Sequence, residues 1–283
     1  MTTTSLTLNA PAKINLHLEI GRRRKDGYHN LVTLFQEISL SDRLRFTPTR
    51  SSALSLRVSP VGLTSGPENL VIRALQLLRE KLGVNVGMNV HLSKRIPVGA
   101  GLGGGSSDAA AALWAGWRLW KKGVNGSRRS PRPFLSKLAM RLGADVPFFL
   151  KGGRAWAGGI GEKLRSVRTG KRRWLLLIYP RVHVSTKEAY RLLDQSRARK
   201  LNTRSSKISR SEVSYFNSFE PVILSKFPKI AAAKKALIDS GCAPVMMSGS
   251  GSSVFGFVKS SAEGRRIRRI LRRKPWDVFL AHT

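Results

Sequence analysis

Pro97 to Ala112 reads P-V-G-A-G-L-G-G-G-S-S-D-A-A-A-A, the composition of a backbone cradle for an anion. Gly99, Gly101, Gly103, Gly104 and Gly105 lack a Cβ, so the stretch can take positive φ and bring its N–H groups close to a phosphate. Ser106, Ser107 and Asp108 are helix-capping types, and the alanines after them are the best helix formers. Unpaired N–H groups and the helix dipole at such a junction both favour an anion. Upstream, Val86 to Leu92 alternates apolar and polar as a strand does. A Walker A loop needs Lys and then Ser or Thr after its last glycine, and here Ser follows directly. Gly99, Gly101 and Gly104 match G-x-G-x-x-G, but the Rossmann reading also wants an acid about 20 residues on, and Lys121 to Ser130 contains none. A protein kinase would place a second strand after the loop, not a polyalanine helix. A flexible linker would not be bounded by a strand and a capped helix.

The acids are few, so each carries information. Asp145, in L-G-A-D-V-P-F-F, suits phosphoryl transfer, in which the protein positions the nucleophile, stabilises charge and accepts the hydroxyl proton. The plainer reading is a turn or helix cap beside Pro147. From Lys13 to Ile20 polar and apolar residues alternate strictly, which predicts a half-buried strand with Lys13 and Asn15 on one face. Such a stripe is usually solvated. Tyr28 offers a stacking face, and His29 one donor and one acceptor for the edge of a base. The plainer reading of D-G-Y-H is a turn with a surface aromatic. Met247 to Phe255, M-S-G-S-G-S-S-V-F, is a second Gly/Ser loop between strand-like runs, and by itself reads as a hairpin turn.

In order and spacing, A-P-A-K-I-N-L-H-L-E-I, D-G-Y-H-N-L, the glycine loop, L-G-A-D-V-P-F-F and M-S-G-S-G-S-S-V-F resemble the GHMP kinases from about Ala10 to the C-terminus. The resemblance implies that ATP binds along Pro97, Val98, Gly99, Ala100, Gly101, Leu102, Gly103, Gly104, Gly105, Ser106 and Ser107, with Mg²⁺, and with no metal held by the protein itself. It implies that Asp145 is the catalytic base and that Lys13 lies beside it. Asn15 would hydrogen-bond the substrate. Tyr28 and His29 would read a cytosine, held against a second aromatic after V-S-T-K-E-A-Y, which makes Thr186 and Tyr190 candidates. Phe35 and Ile160 would line the same pocket, and the second Gly/Ser loop would close on the first. The substrate implied is a small alcohol carrying a cytidine diphosphate, phosphorylated on a tertiary hydroxyl in non-mevalonate isoprenoid synthesis. One position departs from the pattern: Trp117 stands where the family commonly has Asn. Two alternatives stay open, a GHMP kinase acting on another alcohol and a basic nucleic-acid-binding protein. The D-G-Y-H-N-L segment argues against the first, and Asp145 with Lys13 against the second.

Composition agrees with a soluble enzyme. The chain has 283 residues, 41% of them hydrophobic, and a single cysteine, Cys242, which excludes an internal disulfide. No apolar run approaches the ~20 residues of a membrane span. The N-terminal M-T-T-T-S-L-T-L-N-A has no basic or apolar leader, and the expected location is the bacterial cytoplasm. Lys and Arg number 51 against 16 Asp and Glu, a net charge of +35. A dense basic face attracts nucleic acid, but the charge is spread along the chain and is expected to be solvated. In Arg265 to Lys274, for example, Ile267, Ile270 and Leu271 are expected on one apolar face with the arginines on the wet side.

The elements that must hold these residues read as α+β. Strands are expected at 6–20, 36–47, 53–58, 86–92, 154–159, 174–179, 254–258 and 277–281. Helices are expected at 69–82, 106–120, 131–142, 186–194, 222–240 and 261–273. Ser196 to Ser211 has few apolar residues and is expected to be a loop. By resemblance, residues 1–163 form a nucleotide-binding α/β domain and residues 164–283 a ferredoxin-like domain, with the active site in the cleft between them.

Overall fold

The structure, a computed structural model, describes residues 4–61, 63–120, 130–199 and 215–283. Those residues form a mixed α+β chain that divides into two compact units, interleaved along the sequence. The expected division at residue 163 is a single cut. The units instead exchange chain several times, because Lys13–Leu40 and Pro97–Leu102 group with Gly153–Thr283. Two long strands, β1 (Leu6–Arg23) and β2 (His29–Thr49), run from one unit into the other.

The first unit takes in the chain up to Ala12, Ser41–Ile96 and Gly103–Gly152. Here β4 (Gly87–Ser93) pairs antiparallel with Arg43–Thr49 of β2 and parallel with β3 (Leu54–Ser59). Helices α1 (Leu70–Leu82), α2 (Gly104–Trp120), α3 (Arg132–Leu142) and α4 (Val146–Lys151) complete it. The core gathers Leu44, Phe46 and Met88 from the strands with Leu75, Leu78, Ala109, Ala112 and Leu113 from the helices. Asn69 caps α1 by accepting from the Val71 N–H at 2.9 Å, and Gly83 ends it at φ +63°. The small residues of α2 let it approach α1 closely. A Cβ on Gly116 would lie 2.7 Å from Leu78 Cδ2.

The second unit holds the first half of β2, which pairs antiparallel with β5 (Arg154–Gly158), itself paired with β6 (Lys163–Val167). The short β8 (Phe216–Asn217) runs parallel to β1. A separate antiparallel sheet has the order β11-β7-β10-β9, from β7 (Trp174–Tyr179), β9 (Val245–Met247), β10 (Val254–Val258) and β11 (Asp277–His282). Helices α5 (Thr186–Arg199), α6 (Glu220–Lys226) and α7 (Pro228–Asp239) lie between β7 and β9 in sequence, and α8 (Ser261–Leu271) between β10 and β11. Chain order and spatial order together make the ferredoxin-like layer the resemblance implied.

Several expectations are corrected. β2 begins at His29 rather than 36, because β5 supplies a partner for Thr33–Gln36. The helix expected over 222–240 is two. Phe227 at φ −119°, ψ 85° breaks it before Pro228, which disfavours a helical residue ahead of it and has no N–H to give. α5 continues to Arg199, into the stretch expected as loop from Ser196; residues 200–211 of that loop lie outside the described residues. β6, β8 and α4 are too short for periodicity to mark. In α8, Ile267 and Leu271 are buried but Ile270 is 55% exposed. At about 3.6 residues per turn, Gly264 and Leu271 lie to one side of Ile267 and Ile270 to the other, so the buried stripe includes the glycine instead.

Candidate active site

The glycine loop is built as its composition requires. Gly101 and Gly103 sit at φ +75° and +70°, a region L side chains rarely adopt. A Cβ on Gly101 would fall 2.2 Å from the Ser248 carbonyl oxygen, so this position also demands glycine for space. Gly104 is different: it is the first residue of α2, and a Cβ there would meet Ile96 and Lys94 side chains. Val98 is exposed, whereas Ala100 and Leu102 are buried.

The second Gly/Ser loop closes on the first, as the resemblance implied. Ser248 Oγ donates to the Gly101 carbonyl at 2.9 Å, and the Ser253 N–H donates to the Ala100 carbonyl at 3.2 Å. Asn217 pins the second loop by donating to the Met247 and Gly249 carbonyls at 2.8 and 2.9 Å. Ser252 Oγ donates to the Val182 carbonyl. Lys13 joins this assembly through its own N–H, which donates to the Leu102 carbonyl at 2.9 Å.

The polar face of β1 is not solvated. Lys13, Asn15 and His17 are 4%, 2% and 1% exposed. Buried polar groups need partners, and a relay supplies them to Lys13 and Asn15, while the His17 ring packs against Trp156 and Phe216. Lys13 Nζ donates to Asn15 Oδ1 at 2.7 Å, Asn15 Nδ2 to Thr33 Oγ1 at 2.7 Å, and Thr33 Oγ1 to the His17 carbonyl at 2.6 Å. The Lys13 ammonium also lies 5.3 Å from the centre of the Phe35 ring, a cation–π distance. Lys13, Asn15 and Phe35 are therefore neighbours, together with Thr33, for which the sequence held no signal inside an apolar run.

In the first unit, Asp145 precedes α4 at the N-cap position but makes no side-chain capping hydrogen bond, so capping does not account for the carboxylate. Both ends of the glycine loop are tied by a buried ion network that sequence reading missed. Lys94 Nζ lies 2.5 Å from Asp42 Oδ2 and 2.8 Å from Asp108 Oδ2. Asp42 Oδ1 accepts from the N–H groups of Arg95 and Ile96 at 2.5 and 2.9 Å, just before the loop begins, while Asp108 sits in α2, just after it ends. One ammonium between two carboxylates leaves them in competition. Burial pushes the Asp108 carboxyl up to about 7, with Asp42 adding to the rise and Lys94 opposing it. Burial works against the Lys94 ammonium, but Asp108 and Asp42 outweigh it and hold its pKa above the ordinary value. Asp108 Oδ1 and Ser107 Oγ are buried without hydrogen-bond partners among the described residues. No group of three His, Cys, Asp or Glu able to hold a metal occurs among those residues.

D-G-Y-H forms the turn between β1 and β2. The Tyr28 N–H donates to Asp26 Oδ1 at 3.1 Å and Tyr28 is 61% exposed, while His29 is 6% exposed. Tyr190, offered as a second platform for a base, stacks on His29 itself, with ring centres 4.8 Å apart and planes 24° apart. Asp194 Oδ1 lies 2.9 Å from His29 Nε2. Thr186, exposed at the start of α5, places its Oγ1 3.4 Å from Ser250 Oγ of the second loop. Ile160 is 36% exposed, and its N–H donates to Glu162 Oε2 at 2.7 Å, which gives that acid a local structural role. Trp117 packs against Phe134 at 5.4 Å and, with Leu8, Pro11, Trp114 and Phe149, lines an apolar cavity of about 440 Å³.

Family models for the GHMP kinases N terminal domain and the GHMP kinases C terminal domain match residues 69–153 and 192–277. The chain is 38% identical over 286 residues to a 4-diphosphocytidyl-2-C-methyl-D-erythritol kinase of Pelotomaculum thermopropionicum, covering 98% of each chain. It is 40% identical to the protein of the same name from Desulfitobacterium hafniense, covering 97% of this chain and 94% of that one. A crystal structure of 4-(cytidine 5'-diphospho)-2C-methyl-D-erythritol kinase superposes with a TM-score of 0.79 at 36% identity, covering 98% of both chains.

Proposed function

The chain belongs to the GHMP kinases, and within them to the 4-diphosphocytidyl-2-C-methyl-D-erythritol kinases, and on that basis we propose that it transfers the γ-phosphoryl group of ATP to the 2-hydroxyl of 4-diphosphocytidyl-2-C-methyl-D-erythritol. The observation that carries the reading is the glycine loop: positive-φ glycines, locked by the second loop, lead into the N-terminus of α2. Backbone N–H groups in that arrangement suit a triphosphate.

In this reading Asp145 accepts the proton of the substrate hydroxyl as its oxygen attacks the γ-phosphorus. The bond to the bridging oxygen breaks, and ADP leaves with the electron pair. Phosphoryl transfer places charge on the equatorial oxygens, and fixed donors and cations there lower the barrier. Lys13, held by Asn15, is the cation of this chain assigned to that work. Ser107 Oγ, buried and unpartnered among the described residues, is the oxygen that would hold a magnesium ion arriving on the triphosphate, and such an ion would neutralise phosphate charge. Tyr28 and His29 are assigned to the cytosine, with Tyr190 behind His29. Phe35, Ile160 and Thr186 are the further substrate contacts proposed. Both substrates are small and highly polar, and the cytoplasm is the compartment proposed; no described helix is long and apolar enough to cross a membrane.

The test is turnover by the pure protein with ATP and magnesium and a panel of alcohols: the cytidine-bearing methylerythritol, homoserine and mevalonate. Phosphorylation of the first alone is expected, followed by phosphorus NMR of the product. Turnover of another alcohol with the first inert overturns the proposal.

A further inference from the structure

We infer that Asp194 sets the tautomer of His29 and so makes this site select a cytosine over a uracil. The inference rests on the proposed reading of His29 as a contact to the substrate base and deepens it.

His29 opens β2 and is buried, with Nε2 2.9 Å from Asp194 Oδ1 across 165 positions of sequence. An ionised carboxylate can only accept a hydrogen bond, so Nε2 carries the proton. In a neutral imidazole the other nitrogen, Nδ1, then keeps its lone pair. Outer partners fix histidine tautomers in the same way around metals. The ring is held in plane as well as in protonation. Tyr190 stacks on it, and Tyr190 is itself held edge-on by Phe219 at 5.0 Å. Tyr190 and Asp194 are four residues apart on α5, so one face of that helix supplies both the stack and the acceptor. Arg197, further along the same helix, donates to the Gly21 carbonyl at 2.7 Å and to the Ile20 carbonyl at 2.5 Å. The helix that orients His29 is thus fastened to β1, the strand on the other side of the D-G-Y-H turn.

Cytosine presents an exocyclic amino donor where uracil presents a carbonyl oxygen. An Nδ1 lone pair accepts from the amino group and is left facing another acceptor when the base is uracil. The opposite tautomer reverses that preference. Asp194 need not touch the base to exert this effect, and it is a positioning residue.

The test compares kcat/KM for the cytidine-linked substrate and its uridine-linked analogue in the wild type, Asp194→Ala, Asp194→Glu and His29→Ala, with nitrogen-15 NMR of His29 reporting the tautomer. The wild type is expected in the Nε2–H form. In Asp194→Ala the tautomers mix, and the cytidine preference falls at least about tenfold through KM for the cytidine substrate, with KM for ATP unchanged. Asp194→Glu recovers most of the preference. If Asp194→Ala does not fold, Asp194→Asn, of the same shape, is used; its amide can also donate, so the same loss is expected. An unchanged preference with an unchanged tautomer overturns the inference. If instead His29→Ala leaves the affinity for the cytidine substrate intact, the reading of His29 as a base contact falls, and that failure is distinct from the first.

Discussion

Ser248 Oγ donates to the Gly101 carbonyl at 2.9 Å, joining two glycine-rich loops 147 positions apart. The contact leaves no room for a side chain at Gly101, where a Cβ would lie 2.2 Å from the Ser248 carbonyl oxygen. Gly101→Ala must therefore part the loops. We expect KM for ATP to rise at least about tenfold, with kcat reduced, as positive φ adds strain of roughly 1 kcal/mol or more. Gly103→Val, at φ +70°, should act in the same direction through strain. Calorimetric titration with ATP checks both, and unchanged affinity would remove the loop from the nucleotide site.

Asp145→Asn keeps the size of the side chain and removes the carboxylate proposed as proton acceptor. The two side chains are isosteric, so the fold should survive. Loss of a general base costs about 10²–10⁴-fold in rate. Steady-state kinetics should show kcat falling by that range while ATP affinity stays within about a factor of two.

Asp108 predicts a pH dependence of stability. Its folded carboxyl, near 7, stands above the ordinary value of 3.8. Between those values the folded chain holds a proton that the unfolded chain has released, so stability falls as pH rises through the window and levels off above about 7. Asp108→Asn should abolish that slope. Urea midpoints at pH 5, 6, 7 and 8 measure it, and parallel curves for the two proteins would show that Asp108 does not titrate there.

Tyr28 stands 61% exposed beside a buried His29, so its ring lies outside the core. Truncating an aromatic under a base costs about 1–3 kcal/mol. Tyr28→Ala should weaken the cytidine substrate roughly 5- to 150-fold and leave ATP binding alone. Tyr28→Phe should be mild. Equal losses for both substrates would point to a folding defect instead.

Ile267 and Ile270 separate packing from sequence pattern. Ile267 is 2% exposed and Ile270 55%. Ile267→Ala should cost about 2–5 kcal/mol of stability, and Ile270→Ala within about 0.5. Denaturant melts of the two variants, with matched slopes, decide it.

Features set by neighbouring residues were legible in the chain. Glycine spacing announced the loop, the alanines announced α2, although it begins at Gly104 with Ser106, Ser107 and Asp108 inside it rather than capping it, and the charged stripe of α8 announced a helix with a wet face. The order of the motifs pointed to the GHMP kinases, and the comparisons bear that out. Only the tertiary structure decided which polar residues are buried. The alternation of Lys13, Asn15 and His17 is the same whether a strand face meets water or protein, and here it meets protein. Asp42 with Lys94, Lys94 with Asp108, and His29 with Asp194 join residues 14 to 165 positions apart. No local pattern marks such pairs. A carboxylate signals its partner only when the chain brings the two together away from water, where an unpaired charge costs too much to keep.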